Sequence, residues 1–286
     1  MTTITVAPAP LGEAAVTAPA RGGRFSAYTT LARRRFALSA RTPREVIVPL
    51  LTPVLFANVI APALAKSVHS PGVDYVSYVA VGTIGLLVPL SCVLGGVGMI
   101  VDRESGAQRD LLAAPVPRAL MVLGNLTVSV ALSAFQVIVL IAAAVARGAT
   151  FATAVSGIAW AAGAALGIAV AMHAVAEVLA ARIAKQEEYV GTAPPVALVP
   201  WFFAGSFFRI TAMPRALAWF ARMLPLTHAL ALLRYGLVDH TGKGLKDIWG
   251  MTNTTAMAAL SLAVVAAFAI GMLLLSVRVF TRAAIR

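Results

Sequence analysis

Long uncharged runs alternate with short charged segments along this chain of 286 residues. Six stretches hold no Lys, Arg, Asp or Glu: residues 46–65, 75–101, 119–146, 148–176, 189–208 and 250–277. They are 20, 27, 28, 29, 20 and 28 residues long. A hydrocarbon core about 30 Å thick takes roughly 20 helical residues, so each run is long enough to cross it. Barrel strands would be shorter and would alternate in polarity, which these runs do not. The pattern therefore predicts an all-α integral membrane protein with six transmembrane helices. Much Ala and Gly lies within the spans, which lets helices approach closely in lipid. Pro49, Pro53 and Pro62 in the first span, and Pro194, Pro195 and Pro200 in the fifth, predict kinks.

Composition agrees. The chain is 60% hydrophobic and 12% charged, about half the charge density of a soluble domain. Its net charge is +12, and the placement of that charge matters more than its sign. With the N-terminus in the cytoplasm, 15 Lys and Arg fall inside and 8 outside. Six of those eight lie in the last outer segment, which pulls weakly against this orientation. Both termini are expected to be cytoplasmic. A single cysteine, Cys92, excludes an internal disulfide and a cysteine-built metal site.

Ahead of the first span, residues 1–20 read as a disordered tail rich in Ala, Pro and Thr. Residues 21–45 read as an interfacial helix, and residues 46–286 as the membrane domain. In that helix Phe25, Tyr28, Ala32 and Phe36 share a side and Arg33, Arg34 and Arg35 mostly turn away, predicting arginines at the lipid headgroups.

Two connections are more than turns. Residues 102–118, DRESGAQRDLLAAPVPR, mix three acids with three arginines and end on two prolines. A charged helical turn or two stopped by Pro115 and Pro117 would project from the bilayer, with Leu111 and Leu112 as a small apolar contact surface. Docking of a soluble partner and a plain solvated loop both fit this composition. The second connection, residues 209–249, holds an 11-residue uncharged stretch at 223–233, about 16 Å as helix and too short to cross. It predicts a re-entrant or surface-lying hairpin, with Trp201, Trp219 and Trp249 near the interface. A pair of short spans is the alternative, with the same parity.

These segments carry a resemblance. Glu104, Gly106, Leu111, Leu112, Pro115 and Arg118, following Asp102, resemble the signature of type-2 ABC exporter permeases. The run PLTHALALLR, which contains Pro225, His228 and Arg234, resembles the stretch before that family's last span. The resemblance covers nearly all of the chain after residue 20 and is nearest the daunorubicin-type antibiotic-resistance subgroup. It implies a bacterial inner-membrane permease that pairs with a second copy or a homologous permease and with two ATPase subunits. It further implies that residues 24–41 are a connecting helix, that 102–114 couple to the ATPase, and that re-entrant helices lie outside. ATP and Mg would then belong to the partner, and no G-x-x-x-x-G-K-[ST] occurs here. The excess of basic residues is assigned to lipid, with no nucleic acid as partner.

The polar residues inside the spans are few. His173 and Glu177, four apart, face the same way near the inner end of span four. They read as a polar helix end, as a gating or partner contact, or as a proton-coupled site. Asn58, Asn125 and Gln136 are candidates for hydrogen bonds between helices. No paired catalytic carboxylates, activated nucleophile or metal-ligand set is recognisable, so the sequence offers no catalytic site in this chain. A secondary transporter and a non-transporting scaffold are the competing functions.

Overall fold

The computed structural model describes residues 23–41, 75–114, 116–151, 154–207 and 209–283, with a few single positions between 47 and 59. The expected tail, most of the first span and Pro115 lie outside the described residues. Those described form helices joined by short turns. In order they are α1 (Arg24–Arg41), α2 (Tyr75–Leu94), α3 (Val97–Glu104), α4 (Ala107–Ala113), α5 (Arg118–Ala146) and α6 (Val155–Arg182). Then come α7 (Gln186–Phe203), α8 (Arg215–Met223), α9 (Pro225–Leu237), α10 (Lys243–Trp249) and α11 (Thr254–Ala283).

Four helical stretches among the described residues have the length and apolarity to cross a membrane: Val76–Glu104, Arg118–Ala146, Val155–Arg182 and Thr254–Arg282. The first runs from α2 into α3 through a turn at Gly95 and Gly96. A helix also stands where the fifth span is expected. α7 remains one helix through Pro194, Pro195 and Pro200, but it spans 18 residues and opens on Gln186, Glu187 and Glu188. That polar first turn keeps it out of the set of four.

The largest departure from the expected boundaries is at α6. It begins at Val155: Gly148 turns the chain with φ +91°, and Ala154, just before the helix, is extended. It then continues past Glu177 to Arg182. A charge-free window located this span but missed its end, since burial inside the protein lets a helix carry an acid through.

α6 is the spine of the bundle, packed against α9, α11 and α2. Small residues allow this. At the α6–α9 crossing, a Cβ on Gly157 would lie 3.2 Å from the Gly236 carbonyl carbon, and one on Gly236 3.1 Å from that of Gly157. The core beside the crossing holds Ile84, Leu87, Leu230, Leu232 and Trp201. Trp201 is fully buried and donates its indole N–H to the Gly82 carbonyl at 2.7 Å, so it is a core anchor and not an interface residue. Trp219 is exposed and Trp249 half-buried. Much of the apolar surface of α5 and α11 stays exposed, including Phe135, Ile138, Ile270 and Leu274. Such surface suits lipid or another membrane helix.

α8 and α9 meet at 83°, with Leu224 extended and Pro225 in the first turn of α9. Proline fits there, because the first amides of a helix have no partner within it. α9 is buried on nearly all sides and sinks into the bundle at the end opposite α3 and α4.

Candidate functional site

The α3–α4 turn is a bracket of two short helices. α3 ends at Glu104, Ser105 makes the corner, and Gly106 takes φ +79° at the start of α4. That left-handed conformation favours glycine. Nothing lies within 4 Å of a Cβ built on Gly106, so backbone angle and not close approach sets the requirement.

Two arginines tie this bracket to neighbouring helices, and a third joins two spans beside it. Arg34 on α1 donates to both carboxylate oxygens of Asp102, at 2.9 and 3.3 Å. Arg103 on α3 donates to the carbonyls of Ala180, Ile183 and Ala184, at 2.7, 2.5 and 3.0 Å. These are carbonyls at and just beyond the end of α6, which lack helical partners and carry the negative end of its dipole. Arg118 opens α5 and donates to the Thr281 carbonyl at 3.0 Å, near the end of α11. Thus Asp102 and Arg118 hold the protein to itself, whereas Glu104, Arg109 and Asp110 are exposed. Glu104 Oε1 accepts from the Gln186 amide at 3.4 Å, at the positive end of α7. Leu112 is half-buried, and Leu111 turns partly into a cavity behind the bracket.

α1 is seated differently from the expectation. Arg35 is only 8% exposed and donates to the Gly95 carbonyl at 3.1 Å. Gly98 leaves room for its guanidinium, since a Cβ there would overlap it. The bundle-facing side of α1 carries Leu31, Arg35 and Ser39, while Phe36 is 53% exposed and Arg33 is exposed. Of the three arginines expected at the headgroups, Arg34 and Arg35 turn inward. The reasons are local: Arg35 reaches the Gly95 carbonyl at the α2–α3 break, and Arg34 reaches the Asp102 carboxylate.

His173 and Glu177 are not a solvated helix end. They lie 3.4 Å apart, with side chains 2% and 1% exposed. Ser129 and His173 Nδ1 are hydrogen-bonded at 2.9 Å, and Asn125 donates to Glu177 Oε1 at 3.4 Å. The helix exposes Asn125, Ser129 and the inward-turned acid to one another because α5 and α6 pack along this length.

At the opposite end, Arg234 is buried and donates to the Gly205 and Ser206 carbonyls at 2.9 and 2.7 Å. Its guanidinium also sits 3.7 Å from the centre of the Tyr78 ring. His228 Nε2 bonds the Arg222 carbonyl at 2.9 Å, and Trp249 donates to Ser261 at 2.8 Å. Pro225 therefore opens the second helix of the bent pair, His228 fastens α9 to α8, and Arg234 fastens α9 to the 205–206 turn and to Tyr78. Arg209 and Asp247 form an ion pair beside it, at 2.8 Å from Nε, and that carboxylate holds the guanidinium above its ordinary pKa.

A sequence model of the ABC-2 type transporter family matches residues 26–238. The chain belongs to that family. The match takes in α1, the α3–α4 bracket and the α8–α9 pair, and so every feature described above except α10 and α11. No curated protein matches the chain significantly. As an ABC-2 membrane domain the protein is a transport permease, embedded in a membrane by several apolar helices. Such permeases typically work with an ATPase partner.

Among the contacts of this ABC-2 permease that the sequence did not announce, two are instructive. Arg103 clamping α6 has a signal only in hindsight, an arginine one turn from a span end. Arg35 bonding Gly95 had a better one: Gly95-Gly96 inside an apolar run marks a weakened helix whose carbonyls need partners.

Proposed function

We propose that the chain is the membrane subunit of an ATP-driven exporter for amphipathic, drug-like or lipid-like molecules, nearest the daunorubicin-type antibiotic-resistance subgroup. Two permeases, identical or homologous, enclose the path, and two separate ATPase subunits bind ATP and Mg. The complex sits in a bacterial inner membrane, with six spans and both termini cytoplasmic. The observation that carries this reading is the α3–α4 bracket. It presents Glu104, Arg109 and Asp110 outward while Arg34 and Arg103 bind its base to α1 and α6. A force applied to its exposed face passes through short polar contacts into two other helices, without first being lost in a loose loop.

The exposed edge of α1, with Phe36 and Arg33, supports its lying along the membrane surface. The bent α8–α9 pair supports a re-entrant outer element. One observation favours a different class: the buried His173–Glu177 pair suits a proton-coupled secondary transporter.

The test is copurification of the tagged permease with a co-expressed ABC ATPase, followed by transport in proteoliposomes. Vanadate-sensitive transport that needs the ATPase supports the exporter. Transport driven by a proton gradient with no ATPase supports the secondary transporter, and no transport with either supports a scaffold.

A further inference from the structure

Behind the α3–α4 bracket lies a cavity of about 300 Å³ between α1, α3, α4, α5, α6 and α11. Arg34, Asp102, Arg103, Gln108, Asn125 and Glu177 supply its polar lining. Its positive groups are already engaged. Arg34 is spent on Asp102, and Arg103 on three carbonyls. The negative side is not balanced in the same way. Glu177 Oε1 accepts from Asn125 and lies near His173, but Oε2 is buried without a hydrogen-bond partner. A carboxylate oxygen taken out of water strongly favours a donor.

We propose that this cavity binds the ammonium group of an amphipathic primary amine, with Glu177 Oε2 as acceptor. The buried unpartnered atom of the lining, Glu177 Oε2, is an acceptor, so a ligand that meets it must bring hydrogens. A quaternary ammonium brings none on nitrogen, and an anion would have to enter beside the Glu177 and Asp102 carboxylates of the lining. A hard metal ion needs several oxygens, and Asp102, the other carboxylate of the lining, is held by Arg34. Leu31, Met121 and Phe280 give the walls apolar surface for the carbon body of the molecule. The volume lies at the small end for ligand sites and suits a headgroup with the first part of its chain. An aminated lipid headgroup and a freely diffusing amphipathic amine offer the same chemistry.

The experiment uses the full-length permease in phosphatidylcholine nanodiscs, without ATPase, and counts bound dodecylamine by native mass spectrometry. Its outcome is therefore independent of whether the chain proves to be an exporter. Wild type is expected to bind one dodecylamine saturably and to bind dodecyltrimethylammonium at least tenfold more weakly. Glu177→Gln should lose at least tenfold in dodecylamine affinity. Ala181→Phe, which keeps the carboxylate but fills the cavity from its lining, should do the same, and it decides the matter if Glu177→Gln does not fold. Repeating the titration in discs rich in phosphatidylethanolamine assigns the source. Loss of the dodecylamine signal there identifies a lipid headgroup, and its retention a free amine. Equal binding by wild type and Ala181→Phe, or equal binding of the two probes, would overturn the proposal and leave the cavity to water.

Discussion

Arg34 and Asp102 stand 68 positions apart in the chain and meet in a two-pronged ion pair, with Nη2 2.9 Å from Oδ1. This pair joins α1 to the helix that begins the bracket. It is half-buried, so water screens it only in part, and the fork geometry adds direction to the attraction. Breaking it should loosen α1 without altering any span. In a double-mutant cycle of Arg34→Ala and Asp102→Ala, read by thermal unfolding of the purified permease, a coupling of about 1 kcal/mol is expected. Additive effects would mean that the contact contributes nothing.

The α6–α9 crossing rests on the absence of two side chains. Gly157→Val should force the helices apart and destabilise the protein by about 1–3 kcal/mol, the usual range for overpacking. Gly163→Ala is the matched control, because its Cβ would meet Leu262 Cδ1 at an ordinary 3.4 Å. Melting temperatures of the two variants in the same detergent check the contrast, and equal shifts would contradict it.

Asp239 follows α9 and accepts hydrogen bonds from Thr241 Oγ1, Thr241 N and Lys243 N. Burial raises its pKa, but these bonds and the Lys243 charge outweigh burial and hold the carboxyl below its ordinary value. A lowered folded-state pKa adds stability above the unfolded-state pKa, and that stability disappears as pH falls through the folded value. Hydrogen exchange across residues 238–243 should therefore quicken in acid, relative to intrinsic rates, in wild type. In Asp239→Asn that acid-dependent change should be much smaller.

Much of this architecture is legible in the sequence, and the limits are physical. α5 was found to within one residue of its start, because Arg118 marks the edge and no charge interrupts the run. α6 was displaced at its start and cut short at its end. Absence of charge is a proxy for lipid, and Glu177 faces protein. The signature in 102–118 falls on the α3–α4 bracket, where Gly106 takes a left-handed turn. The partners of its polar residues were not legible. Asp102 pairs with Arg34 and Arg103 with the end of α6, contacts that depend on how distant helices pack. The α1 arginines show the same limit: periodicity placed them opposite the aromatic side, yet Phe25, Phe36 and Arg33 are exposed while Tyr28 is half-buried and Arg35 buried.

The proposed orientation has its own check. In a Cys92→Ser background, Ser105→Cys should be protected from a membrane-impermeant thiol reagent added outside, and Thr241→Cys should be labelled. The reverse pattern would invert the protein and remove the bracket from the ATP-containing side.

The bracket should also be where transport is most easily uncoupled. Glu104→Ala and Gly106→Val leave every span intact, so abundance in the membrane should hold. A β-branched residue at φ +79° costs roughly 1–2 kcal/mol locally and should deform the corner. Transport normalised to abundance is expected to fall severalfold for Glu104→Ala and at least as far for Gly106→Val. Full transport by both would make the bracket a passive turn.

The most direct test of the central claim is photocrosslinking. A benzoylphenylalanine in place of the exposed Asp110 on α4 should, on irradiation of membranes containing the permease and its co-expressed ABC ATPase, give one adduct of permease-plus-ATPase mass. The same photoprobe in place of Thr241 should give none. Crosslinking to the ATPase from position 241, or no adduct from position 110 in a complex that copurifies intact, would contradict a bracket that receives the ATPase.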